Sequence, residues 1–315
     1  MLLELSPPDR PEEEERRNEP ELTYGWLKKM PFENYVQIHR LVKKGLKAKK
    51  LPVKIIVSDD VECHKWFRKS LQSLYKIADI FDSHLYPYPQ QIYAIPDFFR
   101  GRLTEIRRTS NKRIPFFLCE FGFRGSSFGA CTNNIMGDYE YGLYVAALCT
   151  EALNSGVDSA SLWCLHQIRL INKINPEGGK MMRIGLWAYK DKQWQPFPIF
   201  YLYNLFTRYI KSDSKIVKVE VSSPEALKAA CVEYAGNYSI FITNLTDKEE
   251  NFSIEGISSD RNFVKHIYVK SRFPMKKENS LKTKNPVRIK DYLEDKIPPQ
   301  SVILYTNLEN ASSIE

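Results

Sequence analysis

The hydrophobic repeat of this 315-residue chain changes period once, between Ile210 and Lys215. Before that point apolar runs alternate with stretches whose apolar residues recur at three- and four-residue steps. After it, apolar and polar residues alternate singly. The first pattern describes βα repeats and a parallel sheet; the second describes short antiparallel strands. The spacing predicts helices over 31–50, 62–78, 98–109, 138–155 and 199–210, with strands over 53–57, 80–83, 115–119 and 159–164. Beyond the switch it predicts strands over 215–221, 227–234, 238–243, 251–257, 266–269 and 301–306, an antiparallel sandwich of about a hundred residues. The fold class is therefore α/β followed by an all-β domain.

Hydrophobic residues at 43% and aromatics at 13% supply enough apolar surface for a core, which excludes a disordered or fibrous chain. No apolar run approaches the roughly 20 residues of a membrane span, and Met1 to Arg10 lacks the features of a signal peptide, so no membrane partner is expected. If Met1 is the genuine start, the expected location is the cytoplasm. Cys63, Cys119, Cys131, Cys149, Cys164 and Cys231 stand far apart, without a C-x-x-C pair or a metal-ligand spacing, and read as reduced thiols. The net charge of +8 comes from lysines and arginines interleaved with acids. It reads as a solvated surface, so no nucleic-acid partner is expected. Neither G-x-G-x-x-G nor G-x-x-x-x-G-K-[ST] occurs, and no cofactor or metal is expected.

Chemistry-bearing residues fall at predicted strand ends, where parallel α/β folds place their active sites. Glu120 ends the apolar run Phe116 to Cys119 and is followed by Phe121-Gly122. His84 and Tyr86 follow the strand over 80–83, and Trp163 closes the strand over 159–164. Asn18-Glu19-Pro20 lies 101 residues before Glu120, room for three βα repeats of about 30 residues each. Two carboxylates on separate strands with an aromatic platform suit cleavage of a glycosidic bond. One protonates the leaving oxygen while the other attacks or activates water, and an indole stacks on the sugar face.

The ordered set Asn18-Glu19-Pro20, His84-x-Tyr86, Glu120-Phe121-Gly122 and Trp163 resembles the retaining glycoside hydrolases of the (β/α)₈ clan whose acid/base follows strand 4 and whose nucleophile follows strand 7. The tail resembles that of the β-xylosidase and α-L-iduronidase family. The resemblance implies that Glu19 is the acid/base, with Asn18 at the sugar 2-hydroxyl, and that Glu120 is the nucleophile. It places His84 and Tyr86 under the sugar, Tyr86 bonding the nucleophile, and Trp163 on the floor of the subsite. Carbohydrate is the implied partner.

It also implies an N-terminally incomplete barrel holding strands 4 to 8. Residues 1–17 read as a charged leader, 18–213 as a partial catalytic barrel and 214–315 as the sandwich. Strands 1 to 3 need about 90 residues, yet Glu12 to Arg17 are six consecutive charges and only 18 residues precede Glu19. Two readings stay open: a retaining glycosidase with a Glu/Glu pair, and a catalytically inactive fragment that binds carbohydrate or a partner. Self-association through the open barrel edge is the further expectation.

Overall fold

A computed structural model of the chain describes residues 30–125, 133, 135–169, 181–182, 185–257, 260–273, 281–283 and 285–308. The chain divides into two compact units, Met1–Tyr86 with Gly101–Glu120, and Pro87–Arg100 with Phe121–Glu315.

The first unit contains helix α1 (Phe32–Ala48), strand β1 (Ile56–Val57), helix α2 (His64–Leu74), strand β2 (Ile80–Leu85) and strand β3 (Phe116–Phe121) up to Glu120. Helix α3 (Ile95–Thr109) joins it from Gly101 onward. β1 pairs in parallel with β2, Ile56 opposite Ile80 and Val57 opposite Phe81, and β3 flanks β2 on its other side. The aromatic core is made by α2 and the sheet: Phe67 meets both Phe81 and Phe116 edge-on, at 6.0 and 6.1 Å between ring centres, and all three are fully buried. Such edge-to-face pairs add to area burial because ring quadrupoles prefer that geometry.

Two expectations shift here. β1 shortens to two residues, since Val53 and Lys54 are exposed. α1 buries only Tyr35 and Val36, while Ile38, Leu41 and Val42, on its predicted apolar stripe, stand exposed.

The second unit holds helix α4 (Tyr139–Ser155), strand β4 (Ser159–Leu162), the antiparallel pair β5 (Ile168–Arg169) and β6 (Met181–Met182), helix α5 (Pro198–Tyr209), and strands β7 to β14. These last are Lys215–Val217, Leu227–Tyr234, Asn237–Asn244, Glu250–Glu255, Arg261–Tyr268, Val287–Ile289, Tyr292–Ile297 and Ser301–Thr306. Six of them form one sheet in the order β12-β11-β14-β9-β8-β7, and β10 pairs with β13 as a ribbon. The ribbon alternates half-buried and exposed residues, so Phe252, Ile254 and Leu293 close one core over Ile242, Ile303 and Tyr305. The other face of the sheet meets α4 and α5, with the Phe206 and Phe241 rings stacked at 4.2 Å. Covered on both sides, β14 buries all six of its residues, as a strand between two layers must.

One close approach fixes α4. The Tyr139 and Tyr268 rings stack at 4.6 Å, the Tyr268 hydroxyl donates to the Tyr139 carbonyl, and the Tyr139 hydroxyl donates to the Gln300 carbonyl at 2.7 Å. Gly142 lies beneath, where a Cβ would collide with the Tyr268 hydroxyl.

Among the described residues the parallel strands form no closed barrel. None of the described helices is long and apolar enough to cross a membrane. The described cysteines, Cys63, Cys119, Cys149, Cys164 and Cys231, are free thiols; burial pushes Cys149 and Cys231 up to about 12.

Candidate active site

The site builds up from the C-terminal ends of β1, β2 and β3. β3 carries a single charged residue, Glu120, one position from its end. Four apolar or thiol side chains before it pack the sheet and leave the carboxylate at the rim. β2 runs further than its sequence suggests, to Leu85, so His84 lies within it and Tyr86 directly follows. The Tyr86 hydroxyl donates to Glu120 Oε1, and His84 Nδ1 lies 3.7 Å from Glu120 Oε2. Each Glu120 oxygen thus faces a different residue, one within β2 and one directly after it.

Burial pushes the Glu120 carboxyl above its ordinary value. The Tyr86 hydrogen bond and the charge on His84 pull it back toward ionisation, and the carboxylate of Asp59 works against them. A carboxyl balanced in this way can carry negative charge in the resting state and lose it on forming a covalent bond.

Behind this rim lies a polar cluster that reading by hydrophobic period passed over. Ser58 and Asp59, directly after β1, have φ of +112° and +52°, the left-handed side that residues with a Cβ rarely adopt. The turn is held from several sides. The Tyr35 hydroxyl accepts from the Ser58 amide at 2.9 Å, Trp66 Nε1 donates to the Ser58 carbonyl at 2.8 Å, and the Asp59 amide donates to Asp82 Oδ1 at 2.8 Å. Asp60 next to it is fully buried. It accepts from the Ser58 and Ser83 hydroxyls at 2.8 and 2.7 Å and from Arg102 at 2.7 Å. Burial works against both ions, pushing Asp60 up and Arg102 down, while the three donors hold the carboxylate in place. Asp82, inside β2, has fewer donors, and burial pushes it up to about 7.

Asp59, Asp82 and His84 bring one ligand atom each within 4.8 Å of one another, the one grouping among the described residues with metal-ligand spacing. The signal for this cluster was in the sequence: Ser58-Asp59-Asp60 ends an apolar strand, and Asp82 interrupts Ile80-Phe81.

Trp163 belongs to the second unit. It follows β4 directly, donates its amide to the Phe121 carbonyl at 3.0 Å, and is 36% exposed. The structure therefore brings His84, Tyr86 and Glu120 together in the first unit. Asn18 and Glu19 lie outside the described residues.

No family model and no curated protein matches the sequence. In fold, the chain is similar to the glycoside hydrolase family 30 subfamily 8 xylanase of Clostridium acetobutylicum, with a TM-score of 0.62 and 14% identity, covering 92% of this chain and 64% of that one. It is similar to the α-L-arabinofuranosidase of Thermotoga maritima, with a TM-score of 0.63, 13% identity, and 92% and 64% covered. The thermostable family 51 α-L-arabinofuranosidase of Thermotoga petrophila gives 0.63 and 13%, with 92% and 65% covered. These neighbours are glycoside hydrolases with the TIM-barrel fold, and the likeness, at such identity, is one of fold. The chain spans a little under two thirds of their length.

Proposed function

We propose that the chain is a retaining glycoside hydrolase working with a Glu/Glu pair, with β1 to β4 standing as strands 5 to 8 of a (β/α)₈ barrel and the tail as its sandwich domain. In this reading Glu120 attacks the anomeric carbon, the bond to the leaving oxygen breaks, and a glycosyl ester forms on Glu120. Glu19 gives its proton to the leaving oxygen and then takes one from the water that hydrolyses the ester. Asn18 holds the sugar 2-hydroxyl, His84 and Tyr86 lie beneath the ring, and Trp163 stacks on it.

The observation that carries the reading is the Tyr86 hydroxyl donating to Glu120 at the end of an apolar β3. A carboxylate rimmed by one donor and one imidazole is poised for nucleophilic rather than packing work. The fold likeness to glycoside hydrolases supports it independently. A second reading, a carbohydrate-binding module without turnover, draws on the share of the neighbours' length that the chain spans.

Incubation with a panel of nitrophenyl glycosides tests both. Turnover by the full chain, lost by at least a thousandfold in Glu120→Gln with circular dichroism unchanged, is the expected result. Binding of sugars with no turnover selects the module, and undiminished hydrolysis by Glu120→Gln removes Glu120 from the nucleophile's role.

A further inference from the structure

The two ring nitrogens of His84 face two different carboxylates. Nε2 lies 3.2 Å from Asp59 Oδ1, and Nδ1 lies 3.7 Å from Glu120 Oε2, a charge contact rather than a hydrogen bond. The imidazole is buried, whereas the Asp59 side chain is half exposed. We infer that Asp59 is a positioning residue of this site, its carboxylate fixing the His84 ring so that Nδ1 addresses Glu120. The consequence for catalysis rests on the reading of Glu120 as nucleophile; the geometry does not.

The backbone around Asp59 is built for this one placement. Two successive left-handed residues cost about 1–3 kcal/mol each and persist only where their surroundings over-determine them. Here the surroundings are Tyr35, Trp66, Asp82 and the buried Asp60–Arg102 pair, all bonded to residues 58 to 60. The turn is also stitched to His84 itself, whose amide donates to the Asp60 carbonyl at 2.6 Å and whose carbonyl accepts from the Glu62 amide at 3.3 Å. Asp59 and His84 are therefore tied through neighbouring backbone as well as through their side chains.

An imidazole presents a proton or a lone pair on one nitrogen according to what holds the other. A carboxylate at Nε2 keeps the proton there and favours a second proton on Nδ1, facing Glu120, in the way that orienting partners set the tautomer of metal-bound histidines. The other titratable groups near the ring are Asp60 and Asp82, with Cys119 beyond Asp82 and Glu62 accepting from the Tyr86 amide at 2.9 Å.

The test follows His84 by NMR in ring-labelled full chain, where five histidines give few signals to assign. Asp59→Asn is the fitting variant, because Asn adopts left-handed backbone more readily than other residues with a side chain. The expected result is a His84 titration midpoint lowered by about 1 pH unit, with a smaller fraction of the neutral ring protonated on Nε2. If the full chain hydrolyses an aryl glycoside, kcat should fall roughly tenfold or more with KM little changed, and Asp59→Glu should recover part of it. A His84 midpoint and tautomer that do not move in Asp59→Asn overturn the inference, whether or not the chain turns over glycosides. Absence of turnover in the unaltered protein counts against the proposed function alone. Should Asp59→Asn fail to fold, Asp59→Gly, which relieves the left-handed strain, gives the same reading.

Discussion

β2 and β14 are both six-residue strands buried from end to end, and they are buried for opposite reasons. β14 places Val302, Ile303, Leu304 and Tyr305 between two layers, and its polar ends are satisfied locally. The Ser301 hydroxyl donates to the Pro298 carbonyl, and Thr306 shares a hydrogen bond with Ser239. β2 instead inserts Asp82, Ser83 and His84 in succession, so polar groups stand on both of its faces. Each must find a partner inside the protein, because an unpaired buried polar group costs several kcal/mol. Burial in β14 stabilises; burial in β2 costs stability and is tolerated where the arrangement serves a site.

The buried Asp60–Arg102 pair beside β2 is the most sensitive point. Replacing Arg102 with Leu leaves the Asp60 carboxylate buried without its counter-ion, and about 3–5 kcal/mol should be lost from the unfolding free energy in urea titrations. Leu304→Ala in β14 removes a fully buried side chain and should cost about 3 kcal/mol by the same measurement. If Arg102→Leu were the milder of the two, the polar strand would not be the stressed one.

Asp82→Asn sharpens the contrast in the other direction. The Asp82 carboxyl, at 3.8 when unfolded and about 7 when folded, holds its proton more tightly in the native state. Its contribution is most favourable below pH 4 and is lost as pH rises to about 7. Asn still accepts from the Asp59 amide and cannot ionise. Thermal midpoints should therefore be higher than in the unaltered protein at pH 8, by the equivalent of about 1–3 kcal/mol, and should converge with it near pH 4. Tyr139→Phe should show the smallest effect, about 1 kcal/mol, from the lost bond to Gln300.

Much of this architecture is legible in the sequence, because burial on one face leaves a period. The helices over 32–48, 139–155 and 198–209 match the predicted spans to within two residues at each end, and β1 to β4 and β7 to β11 show in their apolar positions. β5, β6, β12 and β13 do not. β13 reads Tyr-Leu-Glu-Asp-Lys-Ile, and its inward Asp295 is accommodated by Lys265 and Tyr305, which both donate to it. A carboxylate satisfied by partners thirty and ten positions away leaves no trace in local hydrophobicity. The same holds at the site. Glu120 and Tyr86 stand out because each interrupts or ends an apolar run, whereas the ties among Asp59, Asp60 and Arg102 depend on contacts across two strands and a helix.

The packing of Tyr268 on Gly142 has a consequence for how the chain is made. Tyr139 and Tyr268 lie 129 positions apart, and translation adds about 5–20 residues each second. The first turn of α4 therefore emerges roughly ten seconds before the ring that covers it exists. Through that interval the glycine notch stays open. The second unit can settle only after β11 has left the ribosome, and chains cut short before Tyr268 would emerge with α4 unsealed.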